Sequence, residues 1–151
     1  MEIDYLESTY YQIRLTAKYL KLFIQQMFNK LNLDISLDEF ITLEILKKDS
    51  KICQRDLAKL LLKDRANTGR ICNSLQEKKY INILVESKKN RPVKNLVLTQ
   101  TGEKYLQELS QKLKPLFSEL MKYYDKEEEQ RMQAMLKQYR EIITKIIDIQ
   151  I

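Results

Sequence analysis

Apolar positions along this chain recur at helical spacing nearly everywhere, and the period changes once, between residues 81 and 98. Near the N-terminus Ile3, Leu6, Tyr10, Ile13, Ala17, Leu20, Ile24, Met27 and Leu31 follow in alternating short and long helical steps, which predicts one long helix over residues 3–31. A second stripe through Leu15, Tyr19, Leu22 and Phe23 widens the apolar surface beyond one face. Such a helix needs two partners, its own core and something else, and a second copy of the chain is the economical choice.

Ser36 followed by Glu39 is a capping box and opens a second helix, with Leu37, Phe40, Ile41, Leu43, Ile45 and Leu46 apolar and Asp49-Ser50-Lys51 ending it. After an apolar link at Ile52, a third helix begins near Gln54 with Leu57, Ala58, Leu60 and Leu61 inward. Lys63-Asp64 is the turn, and Asp64 is a good N-cap for a fourth helix reaching about Lys78. Then the period becomes that of a strand: Ile81, Ile83 and Val85 alternate with Asn82, Leu84 and Glu86, and a second apolar run covers residues 93–98. The polar, basic stretch 87–92 between them makes a β-hairpin tip, and Pro92, lacking an N–H, belongs at an edge or at the tip. Thr99 caps a fifth helix that carries Leu106, Leu109, Leu113 and Leu116, with Pro115 expected to kink it or remove one bond. Asp125 with Glu128 starts a last helix bearing Met132, Met135, Leu136, Tyr139, Ile142, Ile143, Ile146 and Ile147.

Composition narrows the function. Two glycines and two prolines in 151 residues favour helix, and the chain reads as a single mainly α domain with a minor β component. No apolar stretch approaches the ~18 residues that span a bilayer, and the N-terminus lacks the apolar core of a secretory signal, so a soluble, cytoplasmic protein is expected. The chain has no histidine, the commonest metal ligand and general acid/base. Its two cysteines, Cys53 and Cys72, offer no zinc spacing. We therefore expect no metal, no cofactor and no catalysis.

Charge changes the picture most. Between Lys63 and Lys94 lie nine basic residues, Lys63, Arg65, Arg70, Lys78, Lys79, Lys88, Lys89, Arg91 and Lys94, against Asp64, Glu77 and Glu86. That window nets +6, as does the whole chain, so the remainder is neutral. Excess charge confined to one helix and the following hairpin marks where a polyanion would sit.

Helix, short turn, helix and hairpin make a winged helix-turn-helix. At about 100° per residue the fourth helix turns Thr68, Ile71, Cys72 and Leu75 to the core. It presents Ala66, Gly69, Arg70, Asn73 and Ser74 outward, with Arg65 and Asn67 on the shoulders. Small side chains admit a helix close to base edges, and Arg and Asn pair with guanine and adenine through two-pronged hydrogen bonds. In the hairpin, Arg91 at the tip suits a narrowed minor groove, while Lys88, Lys89 and Lys94, with Asn90 beside them, suit phosphates.

On the stretches CQRDLAKLL (53–61), DRANTGRICNSLQEKKYI (64–81) and LVLTQTGEKYL (96–106), the chain resembles the multiple-antibiotic-resistance regulator (MarR) family of bacterial transcription factors. The resemblance implies a homodimer built by long N- and C-terminal helices (residues 1–33 and 102–151), with a winged helix-turn-helix lobe at 34–101. It also implies binding to double-stranded DNA at a pseudo-palindromic operator, commonly as a repressor released by a small ligand or by oxidation. The family's wing usually carries an Asp-x-Arg pair where this chain has Asn90 and Pro92, and a Gly after the recognition helix where it has Lys79.

Two kinds of sensing are compatible with the residues. Cys53, just before the third helix, is a redox candidate because a helix N-terminus lowers a thiol pKa; Cys72 lies on the predicted buried face. Tyr5, Tyr10, Tyr11 and Tyr19 with Arg14 could line a ligand cleft, although an aromatic stripe at helical spacing is more often core. A winged-helix module that binds an acidic protein partner is the other class consistent with the charge, and a thiol-based redox switch a third.

Overall fold

The computed structural model describes residues 4–150, which form six helices and one small sheet. In chain order these are α1 (Thr9–Lys30), α2 (Leu37–Lys48), β1 (Ile52–Cys53), α3 (Gln54–Leu61), α4 (Arg65–Glu77), β2 (Ile81–Lys88), β3 (Arg91–Leu98), α5 (Gln100–Met121) and α6 (Lys126–Ile146). Helix α1 starts later than its apolar stripe predicts. Ser8 takes the N-cap position, its side chain accepting from the Tyr11 N–H at 3.2 Å, while its own N–H donates to the Tyr5 carbonyl. A local turn thus replaces the expected first turns of helix, and Ile3 lies outside the described residues. Of α1 only Phe28 is buried; Ile24 and Leu31 pack beside it, and Tyr10, Tyr19, Leu20 and Leu22 stay exposed.

The apolar link at Ile52 is in fact a strand. β1 pairs antiparallel with β3 (Ile52 opposite Leu96, Cys53 opposite Asn95), so β3 is the central strand in the order β1-β3-β2. Two residues are too few to show a period, which is why the pattern could not predict it. The core beneath the sheet is Leu43, Leu46, Leu57, Leu75, Ile81, Leu96, Leu106 and Leu109, all essentially inaccessible. Leu60, expected inward, is 56 % exposed, because the eight-residue α3 buries only the face carrying Leu57 and Ala58. Pro115 lies within an unbroken α5; it costs one backbone bond without ending the helix.

Left-handed backbone is supplied here without glycine. Asn32, Leu62, Lys79, Lys89 and Asn90 have positive φ, and no described glycine does. Three of them end helices in the same way. After α4, the Lys79 N–H reaches the Gln76 carbonyl and the Tyr80 N–H the Leu75 carbonyl, the paired bonds of a Schellman cap. Leu62 after α3 and Asn32 after α1 repeat the pattern. A side chain in this region costs ~1–2 kcal/mol, which the cap bonds and the turn they aim must offset.

Both glycines serve packing instead. A Cβ on Gly102 would lie 2.1 Å from the Tyr80 carbonyl oxygen. The first turn of α5 sits directly on the turn between α4 and β2. Thr99 completes the joint: its hydroxyl donates to the Lys79 carbonyl at 2.7 Å and accepts the Gly102 N–H at 3.0 Å, and its N–H donates to the Tyr80 carbonyl. Rings of Tyr80 and Tyr105 stack over the same junction, 4.3 Å apart, and burial there pushes the Tyr105 hydroxyl up to about 12.

One buried charge fixes α4 against α2. Glu39, only 5 % exposed, accepts the Ser36 N–H at 2.7 Å, the Ser74 hydroxyl at 2.6 Å and the Lys78 ammonium at 3.0 Å. Burial alone would raise its pKa, but the bonds from Ser74, Ser36 and Lys78 outweigh it and hold the carboxyl below its ordinary 4.5. The stabilisation is therefore complete above pH 4.5 and disappears as pH falls through the lowered folded value.

Two measurements check this account. Gly102→Ala should lose about 1–3 kcal/mol in urea unfolding, since the clash is with backbone, whereas Lys79→Gly should gain up to ~1 kcal/mol by relieving a left-handed side chain. Glu39→Gln should cost about 2–3 kcal/mol at neutral pH by weakening the cap and the buried ion pair. Its deficit against wild type should then shrink as the pH of the unfolding series is lowered below 4.5.

Candidate nucleic-acid interface

Helices α3 and α4 meet through the three-residue turn 62–64. Asp64 caps α4 as its sequence position predicts, its carboxylate accepting the Asn67 N–H at 2.7 Å. The Asn67 bonds, backbone first, lower the Asp64 pKa, so the cap is ionised at neutral pH. Thr68, Cys72 and Leu75 are fully buried, which turns Arg65, Ala66, Asn67, Arg70 and Asn73 to solvent. Burial also pushes the Cys72 thiol up to about 11, leaving it protonated.

Two residues of the expected outer face lie elsewhere. Ser74 is half-buried and spends its hydroxyl on Glu39. Gly69 is half-buried against α3, where an added Cβ would come within 3.3 Å of Gln54 Nε2. Its missing side chain lets α3 approach α4. A purely helical projection cannot see which neighbour occupies the outer side of a helix.

The wing is longer and its tip tighter than the residue pattern predicts. β2 and β3 pair from Ile81 opposite Leu98 to Lys88 opposite Arg91, leaving Lys89-Asn90 as a two-residue turn with both φ positive. That is the primed turn that suits hairpin twist, usually signalled by Asn-Gly, and Lys-Asn hides it. Arg91 is thus the first residue of β3, beside the tip and not at it. Pro92 pairs opposite Ser87 inside the strand. With Lys88 and Arg91 as the closing hydrogen-bonded pair, the Pro92 nitrogen faces away from β2, on the side that β1 does not reach.

A different brace replaces the absent Asp-x-Arg pair. Glu86 accepts from Lys51 at 2.6 Å and from the Asn95 side chain at 2.8 Å, tying the wing to the segment before β1. Lys88, Lys89, Asn90 and Arg91 beyond it, and Lys94 beside it, are exposed.

Between the wing, the start of α3 and the start of α4 lies a groove of about 860 Å³. Arg55, Arg65, Lys88, Lys89, Arg91 and Lys94 line it, with Gln54 and Cys53 at its base. None of these six cations makes an ion pair among the described residues, whereas Lys63 pairs with Asp38 at 3.0 Å and Lys78 with Glu39. Folding therefore neutralises Lys63 and Lys78 and gathers Arg65, Lys88, Lys89, Arg91 and Lys94 of the basic window along one groove. Arg55 and Gln54 were not singled out from the sequence. They reach the groove because α3 packs against both α4 and β3, a tertiary fact with no local signal.

The sensing residues are dispersed. Cys53 is half-buried at the N-cap of α3 and donates its thiol to Asp56 Oδ2 at 3.0 Å. It also lies within the cationic groove. Tyr10 and Tyr11 gather around Tyr5, ring centroids 5.7 and 5.5 Å away, while Tyr19 and Arg14 stand exposed further along α1. None of these α1 residues lines the groove above or the apolar one between α1 and α6, formed by Thr9, Ile13, Met132, Met135, Leu136 and Tyr139 among others. Among the described residues no cluster has the ligands of a metal site, and no helix is long and apolar enough to cross a membrane.

No protein-family model and no curated protein matches the chain by sequence. Solved structures do match it in fold. BpsR of Bordetella bronchiseptica, whose DNA binding is regulated by 6-hydroxynicotinic acid, superposes with a TM-score of 0.77 at 15 % identity, over 93 % of this chain and 98 % of its own. The S. aureus MepR–DNA complex gives 0.70 at 24 % identity, over 93 % and 99 %. NMB1585, a MarR family regulator from Neisseria meningitidis, gives 0.71 at 18 % identity, over 95 % and 96 %. The fold of this chain is the winged helix-turn-helix fold of the MarR-family regulators.

Proposed function

We propose that two copies of this chain form a homodimer that binds double-stranded DNA at a pseudo-palindromic operator and represses transcription. The groove carrying six unpaired cations between α3, α4 and the wing is the observation that carries this reading. Arg65 lines it, and beside it Ala66, Asn67, Arg70 and Asn73 of α4 face the major groove, while Gly69 lets α3 pack close to the helix. Arg91 flanks toward the minor groove, and Lys88, Lys89, Asn90 and Lys94 meet the backbone. Ser74 contributes by holding α4 through Glu39. MepR, of the same fold, has been solved with DNA.

Apolar surface supports the dimer. Helix α6 has no buried residue, and Met132, Met135, Ile142 and Ile146 lie exposed on it, together with Phe117 and Leu120 of α5 and Tyr10, Leu20 and Leu22 of α1. Apolar area on this scale marks an interface. The winged lobe spans residues 34–101, and residues 1–33 and 102–151 supply the dimer contact. The first half of α5, through Leu113, also packs into the lobe core, so dimer and lobe share one rigid helix. Twofold symmetry then sets the half-sites about one turn apart, ~34–36 Å, or a multiple of it.

Selection of bound duplexes from a random pool, followed by salt titration, tests the reading. Binding should fall steeply with salt, at about −0.9 in log–log slope per phosphate contact, and Lys89→Ala should weaken all sequences evenly and reduce that slope by about one. Equal affinity for every duplex would exclude a specific regulator. Met135→Glu should sediment as a monomer with its helical circular dichroism intact, and should bind full operator about 100-fold more weakly through lost bivalency.

A further inference from the structure

The exposed face of α4 contains one side-chain chain of hydrogen bonds, Asp64–Asn67–Arg70. Asp64 uses one carboxylate oxygen to cap the helix and the other to accept from Asn67 Nδ2 at 2.6 Å. The Asn67 Oδ1 in turn accepts from Arg70 Nη1 at 3.1 Å. An amide that reads adenine needs both its oxygen and its nitrogen free for the base edge. On Asn67 each of these atoms already carries one bond within the protein, leaving one N–H and one oxygen lone pair, and the two bonds tie the amide between Asp64 and Arg70. Arg70, by contrast, spends one of five N–H donors here and keeps the rest for a guanine edge. The spacing makes the chain possible: residues three apart on a helix face are neighbours, so the cap, the amide and the guanidinium follow one line along the helix.

We propose that Asn67 is a positioning residue that holds the Arg70 guanidinium in its reading orientation through the Asp64 cap, and that it contacts no base itself. This rests on the DNA-binding reading above. A long, flexible side chain loses rotamer freedom when it binds; a guanidinium already tied at one nitrogen has less to lose. Asp64 thereby joins helix capping to base discrimination, two roles usually filled by different residues.

The test is duplex selection with full-length wild type, Asn67→Ala, Arg70→Ala and the double variant, with affinities for the selected operator and its single-base changes. Arg70→Ala should lose roughly tenfold or more of the preference at one base pair per half-site. Asn67→Ala should lose a smaller part, about threefold, at that same base pair, and the double variant should be no worse than Arg70→Ala, the non-additivity of coupled residues. Asp64→Ser keeps a capping oxygen and removes the second carboxylate oxygen. It should retain the thermal midpoint within a few degrees and reproduce the Asn67→Ala change in preference, an effect that a purely structural cap would not have.

Loss of preference at a different base pair in Asn67→Ala, additive with Arg70→Ala, would show Asn67 to be a reader and overturn the proposal. An Asn67→Ala profile identical to wild type would overturn it too. Wild type that selects no sequence at all would remove the DNA-binding reading and this inference together.

Discussion

Glu39 is a carboxylate taken out of water between two helices, and the orientation of α4 depends on how that charge is satisfied. Three donors from three places converge on it: the Ser36 N–H at the start of α2, the Ser74 hydroxyl midway along α4 and the Lys78 ammonium at its end. An unpaired buried carboxylate would cost several kcal/mol. The pairing thus does less to add stability than to exclude other placements of α4, because few rotations of that helix bring both Ser74 and Lys78 to one carboxylate. The same bonds take Ser74 and Lys78 off the exposed surface, so the constraint that aims the helix also edits its charge.

A second joint works through shape. Gly102 lies against the Tyr80 carbonyl where no Cβ fits, and Thr99 bonds to the backbone of the same turn. The end of α4, the start of β2 and the start of α5 therefore meet at one point. α5 is rigidly continuous from that point to the exposed apolar region at its far end. Lys79 is held in a left-handed conformation at this junction.

Electrostatics follows from these two joints. The basic window of residues 63–94 is an accident of chain order until the lobe folds; then Lys63 and Lys78 are consumed by ion pairs while Arg65 and the wing cations line a groove with Arg55. Glu86, nominally a charge of the wrong sign in the wing, is neutralised by Lys51 and bonded to Asn95, and it serves as the brace of the hairpin. Net charge alone would have counted it against binding.

Features that depend on neighbours in sequence were legible from the chain. The capping boxes at Ser36 and Asp125, the caps at Asp64 and Thr99, the buried face of α4 and the existence of the wing all follow from periodicity and local hydrogen-bonding chemistry, whose partners lie within four residues. Tertiary structure decided the rest. It revealed β1, which is too short to carry a period, and the tip at Lys89-Asn90, whose turn type lacks its usual glycine. It also turned Ser74 and Gly69 away from the exposed face of α4 and brought Gln54 and Arg55 to the cationic groove. The physical reason is the same in each instance: a residue's own period determines which side of its element it occupies, but only the packing of other elements determines whether that side meets a core, a buried charge or open solvent.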